Sequence, residues 1–225
     1  MMLTDLELLR LVDTGENQHI EFKRLVHSPE KIAKSISAFA NTSGGTILIG
    51  VDDDKRIVGI ESEKETAEII WEAANDFIQP AVSFETDVVE FRGRDVLAVL
   101  IEESETKPHF HLSETRDPKT FKKVVERKVY LRHNDKNLIA APEAVQLLKA
   151  EHRPIRISFG DNERTLMKYL NTYHRITLVE YSRLVNVSNR RATRILVSLV
   201  RAGVIHLHTD GKNCFYTLKH LAASA

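Results

Sequence analysis

The alternation of apolar and polar residues predicts a short strand near the start of the chain, over residues 19–23. A helix should follow, because Ser28 is a good N-cap, Pro29 suits the first helical position, and apolar residues then recur at helical spacing. A buried strand that follows two glycines is predicted by the segment SGGTILIGV. An acidic turn and then another strand are predicted by DDDKRIVGI. Further helices and strands follow in mixed order, which predicts an α+β domain.

The last third of the chain shows three helical patterns and a hairpin. Thr177 with Glu180 three residues later forms a capping-box pattern, and Ser188 is a good N-cap for the third helix. Two strand patterns then surround a turn at Asp210 and Gly211. This order resembles a winged helix-turn-helix. We therefore expect an α+β domain over residues 1–151, a linker over 152–161 and a winged helix-turn-helix domain over 162–222.

The net charge of zero conceals a difference between the two ends of the chain. Residues 1–151 hold 20 Lys and Arg against 28 Asp and Glu, whereas residues 152–225 hold 12 against 4. A basic domain joined to an acidic one predicts a polyanionic partner for the basic part, although chance variation between domains produces the same imbalance.

The rest of the composition indicates an ordinary globular protein. The single cysteine, Cys214, excludes a disulfide framework and a multi-cysteine zinc site within the chain. There is no apolar run long enough to cross a bilayer and no secretory signal pattern, so we expect a cytoplasmic protein without a membrane partner.

The third helix of the basic domain carries the candidate nucleic-acid contacts. Its polar face is arginine-rich, and the N-terminal half of such a helix usually enters the major groove. Arginine contacts phosphates or reads guanine, and asparagine suits adenine. The candidate residues are Asn189, Arg190, Arg191, Arg194 and Arg201, with Lys212 on the wing. Winged helices also serve as dimerisation or protein-docking modules, and a basic helix face is often only solvated.

Two acids flank the first strand, in the segment ENQHIEFKRL. Glu21 and Lys23 are two residues apart, so both should project from one face of the strand. Glu16 lies five residues from Glu21 and reaches the same side only if the chain bends near Gly15. By themselves, these residues are compatible with a surface ion pair or with half of a catalytic site.

These acids stand among motifs that resemble a known family. ENQHIEFKRL, SAFANTSGGTILIGVDDDKRIVGI, KPHF and VYLRHND occur in an order similar to that of the Schlafen, or divergent AlbA-type, domain, over about residues 12–150. The whole chain resembles short prokaryotic and archaeal members in which this domain precedes a winged helix. Some Schlafen proteins are endoribonucleases that cut transfer and ribosomal RNA.

The resemblance implies a metal site and a second lobe. The acids that correspond to the nuclease ligands are Glu16, Glu21 and Asp53, with Asp52 as the alternative to Asp53, and they would hold Mg²⁺ or Mn²⁺. Such an ion activates water and neutralises phosphate charge, and Lys23 is expected to assist. Nuclease members have two lobes around a basic cleft, so this one-lobed chain is expected to form a homodimer. Lys122, Lys123 and Arg132 lie in its locally basic segments and are expected to contact nucleic acid.

Glycine and histidine patterns in the same domain bear on two other ligands. No G-x-x-x-x-G-K-[ST] loop occurs, so ATP is not an expected ligand, and Gly44 and Gly45 are expected to form a tight turn. His109 and His111 alternate and are expected to be strand or surface residues in preference to a metal pair. The favoured function is a DNA-binding transcriptional regulator. The alternative is a metal-dependent endoribonuclease that cuts structured RNA such as transfer RNA.

Overall fold

The computed structural model describes residues 3–116, 121–151, 159–210 and 213–219. Its contacts divide the chain into two units, Met1–Ile139 and Ala140–Ala225. The expected linker falls mostly on residues 152–158, which lie outside the described residues. The division observed lies before helix α4 (Pro142–Ala150), because α4 packs against a helix of the second unit, α7 (Asn189–Arg201).

The first unit is the expected α+β domain, built on a four-stranded sheet in the order β1-β2-β5-β4. Strands β1 and β2 are parallel, and the other neighbours are antiparallel. The helices of this unit are α1 (Asp5–Thr14), α2 (Pro29–Ala40) and α3 (Glu63–Asp76). The strands of the sheet are β1 (Ile20–Lys23), β2 (Gly45–Ile49), β4 (Glu85–Phe91) and β5 (Arg94–Ile101).

Helices cover both faces of this sheet. Alternate strand residues such as Phe22 and Leu48 pack with Leu8 of α1, and the intervening residues such as Ile47 pack with Phe39 of α2. Burial on both faces explains why β2 is an unbroken apolar run. Gly45 is required at its start, since a Cβ there would lie 2.5 Å from the Phe39 ring.

Local signals in the sequence correctly marked several elements of this unit. Ser28 caps α2 by accepting the N–H of Lys31, and Pro29 occupies the first turn. One expected strand is wrong: the segment after the acidic turn forms only an isolated bridge between Val51 and Ile57. The chain turns back instead, and the oxygen of Gly50 accepts two successive backbone N–H groups, from residues 58 and 59.

Two smaller sheets complete the first unit. One has the strand order β3-β6-β7, and the other is the β8–β9 hairpin. Their strands are β3 (Ile78–Gln79), β6 (Phe110–Arg116), β7 (Lys123–Lys128), β8 (Tyr130–His133) and β9 (Lys136–Ile139). Asn41, at the end of α2, donates to the oxygens of His109 and Tyr130 and so connects both small sheets to the helix.

The second unit contains the expected three helices and hairpin, preceded by α4. These elements are α5 (Asp161–Tyr173), α6 (Leu178–Leu184), α7, β10 (Ile205–Asp210) and β11 (Asn213–Leu218). The capping box of Thr177 and Glu180 and the N-cap Ser188 are both present. Gly203 ends α7 with a φ of 70°, as a C-terminal glycine should. Leu166, Tyr181, Leu196 and Tyr216 are among the buried residues of its core.

Candidate nucleic-acid interface and the buried Glu21 network

Glu21 lies at the centre of a buried network in the first unit. Strand β1 directs its side chain towards α2, where only 4% of the residue is exposed. Its carboxylate accepts hydrogen bonds from Ser35 Oγ at 2.7 Å and from Asn137 Nδ2 at 3.2 Å. Ion pairs with Arg132, at 2.6 Å, and Lys23, at 2.7 Å, compensate its charge. Both carboxylate oxygens are therefore engaged by donors from four parts of the unit.

Arg132 is the principal partner of this carboxylate. It lies on β8, 1% of its side chain is exposed, and its guanidinium packs 4.8 Å from the centre of the Phe39 ring. It also donates to the backbone oxygens of Asn17 and Ile20 and to the side-chain oxygen of Asn137. The prediction that Arg132 contacts nucleic acid is wrong, because a side chain buried and bonded in this way cannot reach a phosphate.

The network keeps Glu21 ionised. Burial by itself would raise the pKa of this carboxyl, but the charge and hydrogen bond of Lys23, the hydroxyl of Ser35 and the charge of Arg132 together lower the pKa below its usual value. Lys23 also donates to the oxygen of Phe22 at 2.8 Å, so its ammonium is held against the strand. Lys23 therefore serves the buried carboxylate in this structure.

The structure does not bring the other two predicted metal ligands to Glu21. The chain does bend at Gly15, which has a φ of 81°, but Glu16 then lies exposed at the edge of β1 and accepts the N–H of Phe22 at 2.8 Å. Asp53 is exposed in the acidic turn. Asp52, the alternative ligand, pairs with Arg24 at 3.1 Å and Arg56 at 3.4 Å.

These residues do not fit a divalent cation. Mg²⁺ and Mn²⁺ need several oxygens that are free to converge, whereas Glu21 is already saturated and has two cations against it. Within residues 3–116, 121–151, 159–210 and 213–219, no group of three or more His, Cys, Asp or Glu side chains is arranged to hold a metal ion.

The two histidines of PHFHL are buried side chains with separate partners. His109 bonds the oxygen of Pro80 and the hydroxyl of Ser104, both at 2.7 Å, which occupies both ring nitrogens. Burial, with Lys107 nearby, lowers the pKa of His109 and keeps it neutral, although its bond to Pro80 acts in the opposite direction. His111 bonds the oxygen of Glu30 at 2.8 Å. Both histidines therefore have structural roles.

The lysines predicted to contact nucleic acid in the first unit lie on the β6–β7 hairpin. Lys122 and Lys123 are both exposed, and Lys123 pairs with Glu114 across the hairpin at 2.7 Å. Farther along β7, Lys128 pairs with Glu126 at 2.5 Å, and Arg127 lies over the ring of Phe110 at 4.8 Å. Much of the positive charge of this hairpin is thus compensated within it.

The arginines on the N-terminal half of α7 differ from the basic residues of the β6–β7 hairpin, because their charge is not compensated by carboxylates of the described residues. Buried residues such as Ala192 and Leu196 hold one face of α7 against the core, so the opposite face is open. Asn189, Arg190, Arg191 and Arg194 are all exposed on the N-terminal half of this helix. Among the described residues, none of these three arginines pairs with a carboxylate. Their charge is therefore available to an external anion.

Arg201 is separated from the other three arginines by the packing of α4. Its guanidinium donates to the oxygen of Glu151, at the end of α4, at 3.1 Å. A shallow cleft at the same place is lined by α4 residues and by Val200 and Arg201. Helix α4 thus packs at the C-terminal end of α7, whereas the predicted contacts at its N-terminal half are exposed. Lys212, the wing candidate, lies outside the described residues.

Two known families match the chain, one in each of its two units. The family described as Schlafen, AlbA_2 matches residues 16–141, which is more than half of the chain. This chain belongs to the Schlafen AlbA_2 family. A second family, described as PCI domain, matches residues 162–217, the segment that forms the three helices and hairpin. For this Schlafen AlbA_2 chain, the family assignment indicates interaction with nucleic acid.

Two solved structures are similar to parts of this chain. The N-terminal domain of an ATP-dependent DNA helicase RecG-related protein from Nitrosomonas europaea is 23% identical, with a TM-score of 0.43 over 55% of this chain and 90% of that domain. The DIP2311 protein from Corynebacterium diphtheriae is 14% identical, with a TM-score of 0.44. That match covers 68% of this Schlafen AlbA_2 chain and 29% of the DIP2311 chain.

No helix in the described part of the chain combines the length and the apolar character that a membrane span requires.

The sequence pattern does not reveal the network around Glu21. It indicates Lys23 as a neighbour, but not Ser35, Asn137 or the structural role of Arg132. Arg132 is 111 residues from Glu21 along the chain, and no periodicity connects positions so far apart. A basic residue in a strand with apolar neighbours, as in VYLRH, is the one local signal that Arg132 is buried.

Proposed function

We propose that this protein is a DNA-binding regulator that docks the N-terminal half of α7 in the major groove of duplex DNA. The observation that supports this proposal most directly is the open cluster of Arg190, Arg191 and Arg194, which no carboxylate of the described residues neutralises. The cluster stands on the third helix of a winged helix-turn-helix unit, and that helix carries the base-reading residues when such a unit binds DNA. The excess of basic residues in this part of the chain supplies long-range attraction.

The helical shape of α7 favours duplex DNA as the ligand. An α-helix fits the major groove of B-form DNA, whereas the major groove of duplex RNA is too narrow and deep for side chains to read. Arg190 and Arg194 are one helical turn apart on the same face and can span neighbouring phosphates or bases. Asn189, in the first turn of α7, is placed to pair with adenine. These features favour duplex DNA over duplex RNA.

The ribonuclease alternative has no comparable support in the described residues. Its proposed ligands Glu16, Glu21 and Asp53 do not form one group, and Glu21 is neutralised by Arg132 and Lys23. A carboxylate that holds a buried arginine is not free to bind a catalytic cation.

The experiment compares two variants that remove the same charge. Arg190→Gln with Arg194→Gln removes two arginines from α7, and the control, Arg164→Gln with Lys168→Gln, removes two exposed cations from α5. Affinity for random-sequence duplex DNA, duplex RNA and single-stranded DNA is measured by fluorescence anisotropy between about 50 and 200 mM salt. Unchanged circular dichroism confirms that both variants fold.

We expect wild-type protein to bind duplex DNA most tightly. The α7 variant should bind random-sequence duplex DNA less tightly, and its salt slope should fall by about 1 for each arginine that neutralises a phosphate. The control should retain most of the affinity and slope. Equal effects of both variants would show that only net charge matters. Wild-type affinity in the α7 variant would reject the assignment.

A further inference from the structure

The β10–β11 hairpin of the second unit turns one face to solvent. Its strands pair antiparallel, with His206 opposite Thr217 and His208 opposite Phe215. Tyr216, on the other face, is 1% exposed and belongs to the core, so these four side chains lie on the outside. They form the outer face of the hairpin. Both histidines on it are exposed, and the other two residues are partly exposed.

The rings of the outer face stand in a row. The rings of His208 and Phe215 are nearly parallel, with an angle of 9° between their planes and 4.9 Å between their centres. The ring of His206 follows, 6.2 Å from that of His208. Nε2 of His208 is hydrogen-bonded to the hydroxyl of Thr217 at 2.9 Å, which fixes the orientation of the middle ring. The outer face therefore presents flat rings in fixed positions.

A cleft within the same unit continues this row. It has a volume of about 550 Å³, and Phe215 lines it together with Tyr169 and Tyr173 of α5. The centres of the two tyrosine rings are 4.5 Å apart, and Tyr173 is 63% exposed. Aromatic side chains thus extend from the hairpin across the cleft to the C-terminal end of α5.

Arg175 supplies a positive charge beside these rings. Ile176 forms a bridge with Tyr216 and is buried like it, so the adjacent Arg175 is directed to the side of the outer face. It also lines the cleft with Phe215. Arg175 is exposed, and among the ion pairs of the described residues none involves it.

Two acids also line the cleft, and each has a favourable position of its own. The carboxylate of Glu180 accepts the N–H and the hydroxyl of Thr177 at the start of α6. Glu143 lies in the first turn of α4, where the helix dipole favours a negative charge. The described residues of the outer face include no acid. The outer face and Arg175 therefore remain open to an anionic ligand.

A row of flat rings beside an unpaired cation fits a polyanion that carries exposed flat groups. An unpaired DNA strand has both features, because its bases are free to stack on aromatic side chains while its phosphates meet basic ones. In a duplex the bases are stacked on one another and are not available to such a surface. The excess of basic residues in this part of the chain, 12 against 4 in residues 152–225, attracts either form.

We propose that the outer face of the hairpin and the adjoining cleft bind single-stranded DNA. Unpaired bases stack on His208, Phe215 and Tyr173, and a phosphate lies at Arg175. Stacking of this kind tolerates any base, so the site needs no particular sequence. The choice of DNA over RNA rests on the proposed function, since an unpaired stretch of the DNA held by α7 is the strand at hand. The stacking surface itself does not involve the arginines of α7.

Three labelled probes of about 15 nucleotides, measured by fluorescence anisotropy, identify the ligand. Oligothymidine cannot pair with itself, oligouridine is its RNA counterpart, and an abasic DNA oligomer keeps the phosphates without the bases. We expect oligothymidine to bind most tightly. An abasic oligomer bound equally well would overturn base stacking, and tighter binding of oligouridine would overturn the choice of DNA.

Ring variants test the surface. Tyr173→Ala should weaken oligothymidine binding about 5- to 150-fold, the range measured for removal of one stacking ring. Phe215→Leu keeps an apolar side chain but should also weaken binding, whereas Phe215→Trp should restore it. The control is Phe159→Leu, which removes a ring that is 49% exposed at the other end of α5. Thermal melting followed by circular dichroism confirms folding. Wild-type affinity in both Tyr173→Ala and Phe215→Leu would overturn the proposal.

Salt dependence separates the rings from the cation. Arg175→Gln should lower the salt slope for oligothymidine by about 0.7, the value for one phosphate of a single strand, and the ring variants should leave the slope unchanged. The ring variants should also retain duplex affinity. Conversely, Arg190→Gln with Arg194→Gln should retain most of the oligothymidine affinity, so the two sites succeed or fail separately. Equal losses of duplex and single-strand binding in the ring variants would contradict a distinct site.

Discussion

Replacing Glu21 by Gln tests whether this carboxylate has a structural role or is a metal ligand. The substitution keeps the shape of the side chain and one acceptor but removes the charge opposite Arg132, a side chain that is 1% exposed. Removing one partner of a buried ion pair costs about 3–5 kcal/mol, because the remaining charge is left uncompensated in the interior. The contribution of Lys23 is smaller, since 37% of its side chain is in solvent. We therefore expect the unfolding free energy of the first unit to fall by about 3 kcal/mol or more.

Urea denaturation measures this loss of stability. The only tryptophan, Trp71 on α3, belongs to the first unit, so its fluorescence follows that unit. With a denaturant slope of about 2 kcal/mol per molar urea, the midpoint should fall by about 1.5 M. The matched variant is Glu16→Gln, which changes an exposed acid that accepts one backbone N–H, and it should cost at most about 1 kcal/mol.

The dependence of stability on pH and on Mn²⁺ provides two further tests of the role of Glu21. Because the folded pKa of Glu21 is lowered, its stabilisation is complete above the unfolded value near 4.5 and is lost as the pH falls through the folded value. Wild-type protein should therefore lose this contribution only below about pH 4.5, and Glu21→Gln should lack it. Mn²⁺ should not raise the midpoint of wild type. The reasoning would be refuted by a Glu21→Gln protein as stable as wild type, or by Mn²⁺ stabilisation that disappears in that variant.

Two further predictions concern the second unit. The hydroxyl of Tyr216 is buried with no hydrogen-bond partner among the described residues, so Tyr216→Phe should leave the thermal midpoint unchanged or raise it, and a loss of more than about 1 kcal/mol would reveal a hidden partner. Ser188 accepts the N–H of Arg191 as the N-cap of α7, so Ser188→Ala should cost about 1 kcal/mol in denaturation followed by circular dichroism. Ser188→Asp should retain the cap, whereas equal losses in both variants would contradict it.

The sequence by itself predicted the elements whose causes are local. The caps at Ser28, Thr177 and Ser188 confirm this, because a cap depends on a side chain and a backbone group three or four residues away. The apolar periodicity of α7 likewise identified its buried face and left its arginines outside. The α+β domain and the winged helix-turn-helix followed from the order of such elements.

The parts that the sequence did not decide depend on contacts between distant residues. Glu16, Glu21 and Asp53 matched a family motif, yet only the folded chain shows that β8 places Arg132 against Glu21 and that Glu16 ends at the strand edge. The sequence pattern also does not indicate that α4 contacts Arg201. Nor does it indicate that β7 is the last strand of its sheet. Periodicity determines which side of an element is apolar, but only the tertiary structure determines what lies opposite each polar side chain. That neighbour decides whether a carboxylate is a metal ligand or the counter-ion of a buried arginine.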